Sequence, residues 1–375
     1  MFSFGNTNKS RQRIVLDISS SQVDGALINF GAEGSCEVIK SFHSENIVLP
    51  EVDLPALWRK LEKLAGDAIR ELRPVNLKVD EAMVIFSSPW YFSETHHVFQ
   101  RFDSAKTINK EFVDSAVKSE SEKFKETVFG KFRIADKDAL ALPIEMMQVR
   151  LNGYPTSSSG LGFLGKKAEI FEAFLYFSVL FAPAADSIRR ILEDSGIRKI
   201  DITTSPFVFY KSASQIQKSN LVVVDIGGEI TDIILVKGGV ISDVLSYGRG
   251  FNHAVRKVSS AFNASLEEAM ALIASSAENK LEANLNERVR GGLKEAANEW
   301  QNLLKEAVER LALRELLPEK MILLGYASGF DEFRKAADQQ ELARFTALGR
   351  PFSVLNEVSG DENSRFNFCL AYASE

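Results

Sequence analysis

Leu221-Val-Val-Val-Asp-Ile-Gly-Gly-Glu-Ile-Thr-Asp-Ile-Ile-Leu-Val236 reads as a buried strand, a glycine turn and a second strand that comes straight back. Asp225 ends the first strand. Gly227 and Gly228 let the backbone approach a neighbour closely, and Thr231 and Asp232 open the return strand. Exposed N–H groups beside a hydroxyl and a carboxylate suit a phosphate with its metal ion. The turn leads from strand to strand. It is therefore neither a P-loop nor a dinucleotide fingerprint, both of which need a helix after the glycines.

An earlier stretch has the same design. Val15-Leu-Asp-Ile-Ser-Ser-Ser-Gln-Val-Asp-Gly-Ala-Leu-Ile28 is again a strand, an Asp-Ile pair, small residues and a return strand. Each copy is followed by a third strand candidate, Glu37–Phe42 or Val240–Leu245, and then by helices. A duplicated β-β-β-α unit places two acids and two small-residue hairpins face to face, with a cleft between them for phosphates and one divalent ion.

Further strands are expected at Glu81–Phe86, Lys199–Thr203 and Met321–Leu324, and another over Arg365–Ala373, where apolar and polar residues alternate. Helices are expected at Asp53–Leu72, with Asp53 as cap and Pro55 in the first turn, at Ala184–Asp194, at Phe207–Ser214 and through most of Phe251–Leu317. Residues 90–185 have a different texture. A charged helix, Lys110–Phe129, precedes strand candidates at Ala139–Leu142, Glu145–Leu151 and Ala168–Phe177, which suggests a small α+β module inserted in the first half. The Phe-rich stripe at 171–181 is expected to be core, and His96-His97 a polar loop or helix end.

The chain has 375 residues, 45% hydrophobic and 26% charged, which is enough for two or more globular cores. Its net charge of −6 argues against a nucleic-acid partner. Two cysteines, Cys36 and Cys369, and four scattered histidines supply neither a disulfide framework nor a zinc site. Met1–Arg13 lacks the apolar core of a signal peptide, and the longest apolar run, Ala173–Ala185, is shorter than the roughly 20 residues a bilayer span needs, so a cytoplasmic location is expected.

The duplicated hairpins with an insertion before the second one resemble the bacterial actin-like FtsA/PilM family of the actin, Hsp70 and sugar-kinase superfamily. Asn152-Gly-Tyr-Pro with Gly165-Lys-Lys-Ala is similar to the SHS2-type insertion of that family. The resemblance implies a two-lobed actin-like ATPase fold of class α/β with an inserted SHS2-like α+β subdomain. The implied division is 1–88 for the first lobe, 89–185 for the insertion, 186–220 for the first lobe continued, 221–350 for the second lobe and 351–375 for a C-terminal segment.

It also implies ATP and Mg2+ as cofactors. Asp17 and Asp225 match the acids that face the metal through water. Ser19, Ser20 and Ser21 match the first phosphate loop, and Gly227, Gly228, Glu229 and Thr231 the second. Gly325 and Ser328 fall at the adenosine turn, and Glu267 and Glu268 where the family places a ribose-contacting acid. Three positions depart from the pattern: Ser19 stands for a glycine, Tyr326 or Ala327 breaks the adenosine Gly-Gly pair, and Ala271 and Leu272 stand where a basic residue usually follows the ribose acid.

The function implied is an ATP-binding adaptor at the inner face of the cell membrane, at most a weak ATPase. Its partner is the tubulin-like division protein and its divisome or, in the alternative, the pilus inner-membrane platform, with self-association possible in principle and the membrane met only peripherally or through a partner. A degenerate pseudo-ATPase scaffold and a small-molecule kinase of the same fold are the other readings.

Overall fold

The computed structural model describes residues 11–30, 36–73, 79–132, 135–156, 162–216, 220–355 and 364–374. In chain order the first lobe contributes β1 (Arg11–Ile18), β2 (Val23–Phe30), β3 (Cys36–His43), α1 (Leu54–Leu72) and β4 (Glu81–Phe86). A second group follows: β5 (Tyr91–Thr107), α2 (Lys110–Phe132), β6 (Ala139–Ala141), β7 (Glu145–Leu151), β8 (Tyr154–Pro155) and β9 (Lys167–Phe181). The chain then returns through α3 (Ala182–Asp194), β10 (Lys199–Thr204) and α4 (Ser205–Ile216). The second lobe comprises β11 (Leu221–Ile226), β12 (Thr231–Lys237), β13 (Val240–Tyr247), α5 (Phe251–Phe262), α6 (Leu266–Ala277), α7 (Ala283–Ala312), β14 (Lys320–Leu324), α8 (Asp331–Ala337) and β15 (Ser353–Leu355), and α9 (Ser364–Ala373) comes last.

The duplication read in the sequence is repeated in the topology. One sheet runs β10-β4-β1-β2-β3 and the other β15-β14-β11-β12-β13, the same order read from one edge. In both, the hairpin strands are antiparallel and the hairpin's first strand is parallel to the strand beyond it. The registers also agree: Asp17 lies opposite Asp24, and Asp225 opposite Asp232, each one step outside a four-residue turn.

Strand alternation decides where these acids point, because successive side chains leave opposite faces of a sheet. In β1, Ile14, Leu16 and Ile18 pack on the face covered by α1 and α3, whereas Val15 packs on the other. In β11, Val222, Val224 and Ile226 face the helices of the second lobe, whereas Val223 faces away from them. Val15 and Val223 belong to one shared core with Phe207–Tyr210 of α4 and Phe366, Phe368 and Cys369 of α9. The two sheets thus sandwich α4 and α9, and Asp17 and Asp225 have the parity that aims them into this middle layer.

The segment Arg365–Ala373, expected as a strand, is helical. Its buried positions Arg365, Phe366, Phe368, Cys369 and Ala373 recur at helical spacing and fill one face against α4 and β1. Short apolar alternation does not separate a strand from a half-buried helix, and packing decides here.

The inserted elements form a third sheet, β5-β9-β7-β8, with β6 also on β9 and α2 covering it. Its core stacks Phe92, Phe124 and Phe177. The 17-residue β5 is invisible to hydrophobic patterning because its far half is largely polar and exposed. It exists because β9 pairs with it over nearly its whole length. His96 and His97 therefore lie in a strand, not in a loop or helix end. They point to opposite faces, His96 Nδ1 at 2.8 Å from Glu120 and His97 Nε2 at 3.2 Å from Glu172. Of the segment 152–162 between β7 and β9, residues 157–161 lie outside the described residues.

Candidate functional site: the cleft between the lobes

The two hairpin turns meet in the middle of the molecule. Turn one closes on itself: Ser19 Oγ accepts from the N–H groups of Ser21 at 3.2 Å and Gln22 at 3.0 Å, and the N–H of Ser19 bonds to the Gln22 carbonyl at 3.0 Å. In turn two, the Gly227 N–H bonds to the Ile230 carbonyl at 2.9 Å. The Glu229 N–H crosses the cleft to Ser20 Oγ, also at 2.9 Å. Five N–H groups of the two turns are thus satisfied by the protein itself.

The glycines serve this direct contact. A Cβ on Gly228 would collide with the Ser21 side chain, and one on Gly227 would come within 2.9 Å of the Ile230 carbonyl. Gly250 lets α5 approach from behind, where the N–H groups of Phe251 and Asn252 reach the Gly227 and Gly228 carbonyls at 2.9 Å each. The glycines that read as a phosphate cradle are thus filled here by the opposite hairpin and by a helix end.

Arg365, at the start of α9, lies between the two acids. Its Nε is 3.1 Å from each carboxylate oxygen of Asp225, its Nη1 donates to Asp17 Oδ2, and its Nη2 donates to Ser87 Oγ. All three charged side chains are buried, with relative exposures of 7% for Arg365, 0% for Asp17 and 3% for Asp225. Burial disfavours the Arg365 charge, but the attraction of Asp17 and then Asp225 outweighs it and holds the guanidinium protonated, its pKa well above the ordinary value. Burial drives Asp17 up to about 7, Arg365 pulls against this, and Asp24 and Asp225 reinforce it. Asp17 Oδ1 is buried with no protein hydrogen-bond partner.

The other two hairpin acids are held by neighbours. Asp24 accepts from Gln22 at 2.7 Å and meets His43 Nδ1 at 3.1 Å. Asp232 accepts from three hydroxyls: Ser88 at 2.7 Å, Tyr91 at 3.0 Å and Ser246 at 2.5 Å. The first two come from the other side of the cleft, so Asp232 is a bolt between lobes. A second bolt lies outside it. Glu229 takes Asn252 at 2.7 Å and Arg256 at 2.5 Å; Asn252 also reaches the Ile47 carbonyl, and Arg256 the Leu49 carbonyl.

The remaining sequence candidates are placed as follows. Thr231 is fully buried, donating to the Arg249 carbonyl and accepting from Trp300 Nε1 at 3.1 Å. Gly325 has a φ of 88°, and a Cβ there would strike the backbone of Ile226. Ser328 folds back onto the Gly325 carbonyl through both its N–H and its hydroxyl. Tyr326 packs its ring on Phe251 and Phe330 beside this turn. Glu268 forms a capping box with Ser265 at the start of α6, and both Glu267 and Glu268 are exposed. Neither lines the cavity in the cleft, and the Glu268 side chain accepts from the Ser265 N–H in the cap.

Among the described residues, a cavity of about 20 Å³ lies beside the hairpin turns, lined by Ser19, Ser21, Gly227, Gly228, Tyr326 and Arg365, among others. That is room for about one water molecule, whereas ligand sites run to several hundred Å³. Among the described residues no group of three or more His, Cys, Asp or Glu is placed to hold a metal ion. In this arrangement the residues do not fit a nucleotide with its divalent ion: both acids face a guanidinium, and five of the turn N–H groups are already bonded within the protein.

Sequence reading named both acids but missed Arg365, Ser87 and Asn252. Arg365 lies 348 residues from Asp17. Only the packing of α9 between the sheets brings the two together.

No known family's sequence profile matches the chain, and no curated protein matches it in sequence. Solved structures do. A PilM–PilN type IV pilus biogenesis complex is similar at a TM-score of 0.61 and 15% identity, over 97% of this chain and 98% of that one. A MamK double helical filament is similar at 0.50 and 11% identity, over 97% and 99%. At these identities the likeness concerns the fold, which is the two-lobed actin-like ATPase fold.

Proposed function

We propose that the chain is an actin-like docking scaffold of the pilus type, which receives an extended segment of a partner protein at the inner face of the cell membrane. The observation that carries this is a groove between the first lobe and the inserted sheet. It encloses about 460 Å³ and is lined by Ile200–Thr203 of β10 on one side and Leu140–Pro143 on the other, with Tyr176 and Phe207 at its floor. β10 is the edge strand of its sheet. An edge strand beside a trough of mixed polar and apolar lining suits strand addition, in which the main chain gives affinity and alternate side chains give specificity. Arg189 and Glu145 supply charges of both signs at the rim.

Two features support the pilus reading over the division one. Of the two solved structures, the one with the higher TM-score is a PilM–PilN type IV pilus biogenesis complex. Also, α9 buries Phe366, Phe368 and Cys369 in the core, so its apolar face is engaged by protein and does not face a bilayer. No helix among the described residues is long and apolar enough to cross a membrane.

A photo-crosslinking residue placed at Ile202 or Leu142 in living cells tests the proposal. Adducts with a pilus inner-membrane protein support it. Adducts with the tubulin-like division protein move the chain to the division reading, and adducts no different from those at an exposed helix position such as Glu287 refute a docking groove.

A further inference from the structure

We infer that Arg365 is a built-in cation that closes the two lobes on each other, in the place where actin-like folds of this kind leave room for a nucleotide and its divalent ion. Closure of this molecule is therefore independent of nucleotide. The inference stands apart from the docking reading, since it concerns the middle layer and not the groove.

Three independent features build it. The first is geometry: one guanidinium spans Asp17 of the first lobe and Asp225 of the second, and its remaining edge donates to Ser87 at the end of β4. A planar fork with several donors suits two carboxylates approaching from different directions, which a lysine would not match. The second is support. The guanidinium lies over the Phe209 ring at 5.5 Å, and α9 is held to α4 by the Ser212 hydroxyl on the Phe368 carbonyl at 2.7 Å. Phe366, Phe368 and Cys369 anchor the same helix in the core shared by both sheets. The arginine is thus fixed on a packed helix and does not sit on a free tail.

The third is the state of the turns. Five of their N–H groups are bonded across the cleft or within the turns, and the Ser20 and Ser21 side chains of the first turn lie directly against the backbone of the second. Admission of a nucleotide with a divalent ion would require the guanidinium to leave, the turns to part and at least two interlobe bolts to open together. A divalent ion entering alone would meet a buried positive charge already paired with both of its ligands.

The test is made on the full chain by thermal melting and titration calorimetry with magnesium and ATP. The expected result is no heat of binding and no movement of the melting midpoint in excess Mg·ATP, since a ligand binding the native state must raise it. Arg365→Met is expected to lower the midpoint by several degrees, because two buried carboxylates lose their counter-charge. The triple variant Arg365→Met, Asp17→Asn, Asp225→Asn, which removes the charges together, is expected to regain most of that loss, and it keeps the test valid if the single variant does not fold. Micromolar binding of Mg·ATP by the unaltered chain overturns the inference. So does an Arg365→Met midpoint equal to that of the parent, or a triple variant no more stable than Arg365→Met.

Discussion

Arg365 and Asp17 lie at opposite ends of the chain, yet they form a buried ion pair in the layer between the two sheets. Asp225 completes it from the other lobe. Removing one partner of such a group leaves a buried charge uncompensated, at a cost of about 3–5 kcal/mol. Arg365→Met is therefore expected to lose about that much in urea unfolding, whereas Lys110→Met, in an exposed pair with Asp114, is expected to lose under about 0.5 kcal/mol.

Gly228 gives a second expectation. A methyl group there meets Ser21 of the other lobe, and neither turn has slack because both are bonded internally. Gly228→Ala is expected to destabilise by about 1–3 kcal/mol, the range for forced overpacking. Ser21→Gly should relieve much of it in the double variant. A double-mutant cycle by chemical denaturation measures that coupling, and a coupling near zero would mean that the turns do not touch.

The pH dependence of stability has two opposing parts. Burial raises Asp232 from its ordinary 3.8 to about 6, against the Ser246, Ser88 and Tyr91 hydroxyls. The folded chain then binds a proton more tightly than the unfolded one, so this contribution is full below 3.8 and fades as pH rises to about 6. Asp17 acts in the same direction, from 3.8 to about 7. Glu81 does the opposite. Burial would raise its pKa, but hydrogen bonds from Arg11 and Lys199 hold it at about 2, below its ordinary 4.5. Its contribution is full above 4.5 and is lost as pH falls towards 2. Asp232→Asn should flatten the decline in unfolding free energy between about pH 4 and pH 6, a slope of at most about 1.4 kcal/mol per pH unit for one proton. Glu81→Gln should remove the acid-side loss only.

The groove yields an expectation about recognition. Ile202→Glu and Leu142→Glu place charges on its facing walls, at positions that are half-buried. Both variants should keep the parent's melting midpoint within a few degrees while reducing partner cross-linking by more than about tenfold, as expected when an apolar anchor at an interface is lost. A fall in folding and binding together would point to a structural role.

Much of the fold was legible because it is repeated. The Asp-Ile turns at 17 and 225 share one spacing, and the structure gives them one register and one sheet order. Alternation in β1 and β11 fixes which face each acid takes. Three things were not legible. β5 is polar along half its length and depends on β9 for its existence. α9 alternates like a strand over a few residues and is made a helix by the space between the sheets. Arg365 carries no local motif, since its meaning comes from two acids in other lobes and a helix placed by tertiary packing. The glycines gave the opposite difficulty: Gly227 and Gly228 do permit close approach, but sequence does not reveal what approaches, and here it is Ser20 and Ser21.

The cleft is closed by the chain's own residues, with Arg365 as its cation. Hydrogen-exchange mass spectrometry of the full chain, with and without saturating Mg·ATP, tests it most directly. The peptides to follow are those covering residues 14–27, 221–236 and 364–374. Slow exchange is expected in all three already without nucleotide, and the same rates with it. Fast exchange that becomes slow in these three segments when Mg·ATP is added would contradict it.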